Sequence, residues 1–193
     1  MKNDLTRWLR GEGENLLRSI GVREGQTLLD FGCGSGNYAI PASKVVGEEG
    51  MVFAVDKRSR GIWPSEGLVE LRNRAKSAGL SNIVVMKTSG ELDLTLEAGS
   101  VDFVLLFDVL HSYYFPDSHQ RKRLLSELHR VLKPGGILSL YPGDPELAGN
   151  SRETEKISEE IQDMDFCLIK RHRYRLLHEN KPTLGTVLNF AKC

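Results

Sequence analysis

One segment decides the fold, and it reads Leu28-Leu29-Asp30-Phe31-Gly32-Cys33-Gly34-Ser35-Gly36-Asn37. An apolar strand pattern runs directly into three alternate glycines, and a helical pattern follows them. Glycine adopts positive φ without strain and lets a ligand approach the main chain closely. The N-terminus of the following helix presents free N–H groups to such a ligand. The segment therefore predicts a strand, a ligand-binding turn and a helix in immediate succession.

The spacing of these glycines indicates which kind of nucleotide they would bind. The dinucleotide fingerprint is G-x-G-x-x-G, whereas this loop reads G-x-G-x-G and is preceded by Asp30. A carboxylate at this place repels a pyrophosphate and attracts a cationic group. Asp56 ends the second strand pattern, where a carboxylate can bind the ribose hydroxyls of a nucleoside. The pattern favours a nucleoside ligand that carries a cationic group.

Apolar runs alternate with helical patterns over most of the chain. Strands are predicted at Thr27–Phe31, Met51–Asp56, Asn82–Met86, Val101–Phe107 and Gly136–Tyr141. Helices are predicted at Asn37–Val46, Pro64–Ala78 and Ser118–Leu132. This alternation predicts a parallel sheet with helices on both faces.

The two ends of the chain depart from this alternation. Residues 1–20 read as a broken amphipathic helical segment and are the one obvious candidate for a lid. Near the other end, a helix is predicted at Arg152–Asp163, followed by strands at Phe166–Leu177 and Thr183–Ala191. A turn at Glu179–Pro182 joins these strands, so they must be antiparallel neighbours.

Composition predicts an ordinary globular protein with one domain over residues 1–193. The chain carries 26 Lys+Arg and 26 Asp+Glu, is 40% hydrophobic and has zero formal net charge. A chain of this length buries enough surface to fold without disulfides or structural metals. Zero net charge argues against bulk electrostatic binding of nucleic acid or of an anionic membrane.

Cysteine usage and hydropathy favour a soluble, cytoplasmic protein. The three cysteines, Cys33, Cys167 and Cys193, are scattered and have no paired spacing, which fits a reducing compartment better than a disulfide framework. The first twenty residues contain charged side chains and no unbroken apolar run, so no secretory signal is expected. The longest purely apolar run, Phe103–Phe107, is far too short to span a bilayer.

Four segments in this order resemble the class I S-adenosylmethionine-dependent methyltransferases, and they are Leu28–Gly36, Val52–Asp56, Val101–Val104 and Leu128–Gly136. The resemblance implies an α/β, Rossmann-like three-layer sandwich. Its seven-stranded sheet would be mostly parallel, with strand order 3-2-1-4-5-7-6 and an antiparallel final strand. It also implies an enzyme that uses S-adenosyl-L-methionine. A nicotinamide dinucleotide fold, or a glycine-rich turn that binds nothing, are the alternatives.

The resemblance also implies which residues contact the cofactor. Gly32, Gly34 and Gly36 would pass under its methionyl part, and Asp30 would lie near its amino group. Cys33, between the first two glycines, is also an expected cofactor contact. Asp56 would bind the ribose. Relatives often carry Gly-Asp after the third strand, next to the adenine; here Gly90 takes that place, and Glu91 is the expected substitute. Further expected contacts are Lys57, whose stem can lie on the adenine ring, and Asp108 after the fourth strand. The alternative for Lys57 is a solvated surface lysine.

His111 is the candidate catalytic residue, because it follows the fourth strand in the segment Asp108-Val109-Leu110-His111. The stretch Leu110-His111-Ser112-Tyr113, with Asp117 beyond it, resembles the Leu-His-Asp-Trp segment of plant-type O-methyltransferases, whose histidine deprotonates the acceptor. The alternative is a histidine that only anchors the loop. Relatives that methylate nitrogen carry Asn/Asp-Pro-Pro-Tyr/Phe after the fourth strand, whereas this chain has Asp108-Val109-Leu110-His111 there. Transfer to oxygen or carbon of a small-molecule acceptor is therefore expected.

No metal site is predicted. Asp108 and Asp144 follow the fourth and fifth strands, where catechol-type O-methyltransferases place metal ligands. The Asp-Asn pair that completes that site is missing after Tyr141, where the chain reads Pro142-Gly143-Asp144-Pro145.

Two alternative functions stay open at this stage. Arg171, Arg173 and Arg175 alternate and so project from one face of a strand, where they could guide an RNA or protein acceptor. The favoured explanation of these arginines is that their strand lies at a sheet edge, where charge discourages edge-to-edge aggregation. The chain could also be a non-catalytic, cofactor-binding partner of a second subunit. Its oligomeric state is not indicated by the sequence.

Overall fold

Seven strands form one sheet in this computed structural model, which describes residues 2–57, 67–90, 92–147 and 149–193. In chain order they are β1 (Thr27–Phe31), β2 (Met51–Asp56), β3 (Ile83–Lys87), β4 (Val101–Phe107), β5 (Leu132–Tyr141), β6 (Phe166–His178) and β7 (Lys181–Lys192). The strand order is β3-β2-β1-β4-β5-β7-β6. β2 pairs in parallel with β1 and β3, and β5 pairs in parallel with β4 but antiparallel with β7. The predicted Rossmann-like fold and strand order are confirmed.

The helices that flank the sheet are α1 (Lys2–Arg7), α2 (Gly13–Ile20), α3 (Ala39–Val46), α4 (Leu68–Ser77), α5 (Ser118–Val131), α6 (Asp144–Leu147) and α7 (Ser151–Gln162). A π-helical turn at Trp8–Glu12 joins α1 to α2. Among the described residues, no helix is both long and apolar enough to cross a membrane.

Two predicted boundaries move for identifiable reasons. α3 begins at Ala39 rather than Asn37, because Asn37 belongs to a turn in which its side chain accepts a hydrogen bond from Arg74 (2.9 Å). β5 begins at Leu132 rather than Gly136, because Leu132 already has extended backbone angles. The register with β4 then shifts through a bulge around the Pro134-Gly135 segment. The predicted start of α4 at Pro64 lies outside the described residues.

The chain divides into two compact units. The first comprises Met1–Gly90 with Arg175–Thr183, and the second comprises Glu91–Tyr174 with Leu184–Cys193. Fully buried side chains form the core of each: Trp8, Leu17, Leu28, Leu29, Leu68 and Leu71 in the first unit, and Phe103, Leu105, Leu106, Leu110, Tyr141 and Phe190 in the second. The expectation of one domain over 1–193 stays a prediction.

The N-terminal segment of the first unit is the broken helix that the sequence predicts. Gly11 has an extended φ of 166°, which interrupts the helical path. Trp8 is buried and donates its Nε1–H to the carbonyl oxygen of Asn37 (2.7 Å). A Cβ at Gly13 would lie 2.7 Å from the Pro41 side chain, so glycine lets α2 approach α3 closely. The segment is thus fastened to α3, and its role as a lid stays a prediction.

The cysteines of the second unit differ from the expectation. Cys167 and Cys193 form a disulfide with a Cα–Cα distance of 5.9 Å, so the interpretation that the cysteines form no disulfide framework was wrong for this pair. The two residues are 26 positions apart, and only the return of β7 along the sheet brings them together. Cys33 is buried and takes no part in a disulfide.

A buried ion pair joins α5 to α7 in the second unit. Arg121 donates to both carboxylate oxygens of Glu160 at 2.5 and 2.6 Å, and to the carbonyl oxygen of Phe115 at 2.6 Å. Their side chains are only 7% and 10% exposed. The hydrogen bonds from Arg121, opposed by burial, hold the pKa of Glu160 below its ordinary value. By contrast, the pair of Arg171 with Glu155 is about half exposed.

We predict that Glu160→Ala lowers the free energy of unfolding by about 3 kcal/mol or more, because it leaves the Arg121 charge buried without its partner. The matched variant Glu155→Ala breaks an exposed pair and should cost at most about 1 kcal/mol. Urea unfolding of both variants measures the difference. Equal losses in the two variants would contradict the prediction.

Candidate functional site

The glycine loop is held against β2 by main-chain hydrogen bonds. The N–H groups of Gly32 and Cys33 both donate to the carbonyl oxygen of Val55, at 2.8 and 3.1 Å. The N–H of Gly36 then donates to the carbonyl oxygen of Cys33 at 2.9 Å, which closes the turn before α3. The loop is therefore a fixed extension of the sheet.

Gly34 and Gly36 are glycines for different reasons. Both have positive φ, at 52° and 82°. A Cβ at Gly34 would meet no atom within 4 Å, so open space lies beside the main chain there. A Cβ at Gly36 would lie 2.3 Å from the Leu71 side chain, so that glycine serves the packing of α4. Gly34 is the position where a ligand can approach the loop.

Asp30 and Asp56 place two buried carboxylates beside this loop. They are 3% and 4% exposed, at the ends of β1 and β2. Asp56 accepts a hydrogen bond from the N–H of Gly34 at 2.9 Å. Oδ2 of Asp30 has no hydrogen-bond partner within the described part of the chain. Burial, together with the charge of Asp56, raises the pKa of Asp30 to about 7, although a hydrogen bond from the Ala39 main chain lowers it in part. Such a carboxyl would be stabilised in its charged form by a cationic ligand group.

The other predicted cofactor contacts are Lys57 and the residues around Gly90, for which the structure gives fewer interactions. Lys57 is exposed directly after β2. Gly90 has a φ of 111°, and its N–H donates to the Thr88 hydroxyl at 3.1 Å. Glu91 lies outside the described residues. The predicted roles of Lys57, Cys33 and Glu91 stay predictions.

In the second unit, Asp108 is held in an unusual conformation at the end of β4. Its φ is 57°, a left-handed value that few residues other than glycine adopt. A Cβ at Gly143 would lie 1.7 Å from Oδ1 of Asp108, so only glycine leaves room for this carboxylate. The N–H of Asp144 lies 3.3 Å from the same oxygen. The sequence did not reveal this dependence of Asp108 on Gly143.

His111 lies close to this carboxylate and is 2% exposed. Its Nε2 is 3.7 Å from Oδ1 of Asp108 and has no hydrogen-bond partner among the described residues. Its Nδ1 accepts a hydrogen bond from the N–H of Tyr113 at 3.3 Å. A ring nitrogen that accepts a hydrogen bond carries no proton, so the proton of the neutral imidazole is on Nε2, beside Asp108. His111 can act as a base at Nε2 only when that proton moves to Nδ1, which breaks the bond from Tyr113. The hydroxyl of Tyr141, also buried and without a partner in the described chain, has its pKa raised by burial and by nearby Asp108.

Ligand atoms of Asp108, His111 and Asp144 lie within 4.8 Å of one another, a cluster that could hold a metal ion. Asp108 and Asp144 were recognised in the sequence as possible ligands and His111 was not, although its spacing of three residues from Asp108 was a usable signal. An ion here would occupy Nε2 of His111, the same lone pair that a general base needs. The two roles exclude each other, and the absence of a metal site stays a prediction.

Known proteins resemble this chain in sequence and in fold. The methyltransferase domain family matches residues 29–140. A demethylmenaquinone methyltransferase of Staphylococcus aureus is 32% identical over 125 residues, which are 65% of this chain and 46% of that protein. One from Geobacillus kaustophilus is 30% identical over 138 residues, 70% of this chain and 53% of that protein. The chain thus spans about half the length of these relatives. A SAM-dependent methyltransferase structure from Aquifex aeolicus has a TM-score of 0.72 at 24% identity, covering 94% of this chain and 90% of that one.

A sheet in this strand order, with a glycine loop after β1 and an acidic residue ending β2, is the fold of the class I S-adenosylmethionine-dependent methyltransferases. The chain belongs to the methyltransferase domain family. The family predicted from the sequence is confirmed, and S-adenosylmethionine is the cofactor of that family.

We predict that Asp30→Asn stabilises the ligand-free protein at high pH and not at low pH. The folded-state pKa of Asp30 lies near 7, above its value in the unfolded chain, so the wild type loses stability as pH rises from about 4 to 7. The neutral asparagine does not titrate. The variant should therefore gain roughly 3–4 kcal/mol over the wild type at pH 8 and little at pH 4.

Urea unfolding across this pH range measures the effect, and Asp163→Asn, at an exposed position, serves as the control. A stability difference between Asp30→Asn and the wild type that does not change with pH would contradict the assignment.

Proposed function

We propose that this chain is an S-adenosylmethionine-dependent methyltransferase that acts on a small-molecule acceptor, at oxygen or carbon rather than nitrogen. The observation that carries the proposal is the pairing of open space at Gly34 with the buried, unpartnered oxygen of Asp30. A ligand that lies along the loop and carries an ammonium group satisfies both features. S-adenosylmethionine fits these residues.

Three residues of the first unit would contact different parts of the cofactor. Asp30 would hold the cofactor's ammonium group, since a buried carboxylate is stabilised by an opposite charge. Asp56 would hold the ribose hydroxyls from the end of β2, where its own position is fixed by the Gly34 N–H. Gly34 would let the methionyl part lie against the main chain. The contact of Asp108 with the cofactor, expected from the sequence, stays a prediction.

His111 is the proposed proton acceptor. The sulfonium of the bound cofactor supplies the electrophilic methyl group, so the protein must align the acceptor and remove its proton. Oδ1 of Asp108 lies 3.7 Å from Nε2 of His111, and Glu153 is also near enough that His111 contributes to lowering its pKa. Both carboxylates would stabilise the imidazolium that forms when Nε2 takes a proton.

Two observations support a small-molecule acceptor of the oxygen or carbon type. The relatives from Staphylococcus aureus and Geobacillus kaustophilus are named for demethylmenaquinone, which is neither a nucleic acid nor a protein. The strand-four segment lacks the proline motif of nitrogen-methylating relatives. The alternative of an RNA or protein acceptor on the arginine face is weakened, because Arg171 is already paired with Glu155.

Calorimetry with S-adenosylhomocysteine tests the cofactor site. We expect Gly34→Ala to weaken binding at least about 10-fold, because the new Cβ enters the space where the ligand would lie. Gly79→Ala is the matched control: its φ of 67° is also positive, its Cβ would also meet nothing within 4 Å, and it lies in the turn after α4. Equal effects of the two variants, or binding of NADH instead, would refute the proposed site.

Incorporation of a labelled methyl group tests the reaction, with small metabolites and RNA as separate acceptor fractions. Labelled small molecules are the expected product. Labelled RNA would favour the arginine-face alternative, and cofactor binding without any transfer unless a copurified subunit is present would favour a non-catalytic partner.

We predict that His111→Ala lowers turnover about 100-fold or more while leaving S-adenosylhomocysteine affinity unchanged, because a general base contributes to the reaction and not to cofactor binding. His119→Ala, an exposed histidine in α5, should keep full turnover. Undiminished turnover of the His111 variant would remove it from the reaction. Loss of wild-type turnover with a chelator, restored by Mg²⁺, would show that the cluster around His111 serves a metal instead.

A further inference from the structure

A cavity of about 260 Å³ lies in the second unit, between the loop after β4 and the first turns of α7. Its volume is close to the lower end of the range of small-molecule sites. His111 and Ser112 line it from the loop, Arg121 lines it from α5, and Asn150, Arg152 and Lys156 line it from the start of α7. The cavity therefore adjoins the residue proposed as the base.

The polar groups in the wall of this cavity are mostly satisfied, and they leave an excess of positive charge. The charge of Arg121 is neutralised by Glu160. The carboxylate of Glu153, also in the wall, accepts hydrogen bonds from the N–H of Ser112 (2.7 Å) and from Nδ2 of Asn150 (2.9 Å). Within the described ranges, no ion pair involves Arg152 or Lys156. Glu153 keeps its negative charge and Lys156 also interacts electrostatically with Glu160, so the cavity wall carries one net positive charge that a ligand can meet.

The arrangement of these two cations favours a bound anion. Arg152 and Lys156 are four residues apart, so they lie on the same face of α7 and repel each other. They occupy the first turns of a 12-residue helix, whose N-terminus also carries partial positive charge. An oxyanion placed here would relieve the repulsion and interact favourably with the helix.

We infer that the acceptor is a small oxyanion, whose carboxylate or phosphate is bound by Arg152 and Lys156 while its hydroxyl or acidic carbon faces His111. This inference names the substrate class of the reaction proposed above and rests on it for the methyl transfer, but the anion binding is independent of that reaction. In the transfer, the acceptor atom gives its proton to Nε2 of His111 and forms the bond to the methyl group. The methyl–sulfur bond breaks, and its electron pair stays on sulfur.

Calorimetry with three probes on the full chain tests the anion site: 4-hydroxybenzoate, its neutral counterpart 4-hydroxybenzamide, and phenyl phosphate. We expect the carboxylate to bind at least about 10-fold more tightly than the amide. Phenyl phosphate decides which oxyanion the site prefers. Added salt should reduce the advantage of the charged probes, because the rim is exposed.

Charge-removing variants show where the preference arises. The double variant Arg152→Gln/Lys156→Gln should lose the preference for the carboxylate over the amide. Lys122→Gln/Arg123→Gln removes the same charge from exposed positions of α5 outside the cavity and should retain it. Affinity for S-adenosylhomocysteine should be unchanged in both, which separates this site from the cofactor site.

The inference is overturned if the carboxylate and the amide do not differ in binding, including the case in which neither binds. It is also overturned if the preference survives in the cavity variant, or falls equally in the control variant. Anion binding as expected, with no labelled methyl transfer to any fraction, would support the oxyanion site and refute the proposed reaction.

Discussion

Negative charge buried at the ends of β1 and β2 is the constraint on which the first unit depends. Asp30 and Asp56 are both excluded from water, and a buried carboxylate is costly unless it is hydrogen-bonded or paired. Main-chain N–H groups meet part of this need, from Gly34 to Asp56 and from Ala39 to Asp30. The main chain of the loop can approach these carboxylates so closely because its glycines have no side chains. The strand, the glycine turn and the helix therefore together stabilise two buried carboxylates, and a cationic ligand would supply the positive charge that they lack.

Several elements could be predicted from the sequence because a single local pattern determines them. The bounds of β1, β2 and β4 agree with the structure, since each is a short apolar run that ends in a charged residue or a glycine. Asp56 was predicted beside the glycine loop because adjacent parallel strands end at the same edge of a sheet. The start of β5 was missed because a glycine-rich bulge there resembles the end of a helix. The disulfide was missed because the cysteine spacing was considered without the hairpin: with a turn at Glu179–Pro182, Cys167 and Cys193 lie opposite each other at the open end of the two strands.

In the second unit, the sequence motif identifies the candidate residues but not the distant residues that position them. The sequence singled out Asp108 and His111 by their place after β4. Their arrangement, however, depends on Gly143, which belongs to the loop after β5 and leaves room for the Asp108 carboxylate. The cavity beside His111 depends in turn on α7, and the Arg121–Glu160 pair fastens that helix to α5. Gly143 and α7 are distant in sequence from Asp108 and His111, so only the fold shows that they position these two side chains.

The disulfide between Cys167 and Cys193 makes the C-terminal part of the chain responsive to its surroundings. Closing a loop of this length reduces the conformational entropy of the unfolded chain by an amount equivalent to about 3–4 kcal/mol in the chain-entropy description. That is a large share of the net stability of a typical domain. The oxidised and reduced forms of this chain therefore differ in their free energy of unfolding, and the thiol–disulfide balance of the medium decides which form is present.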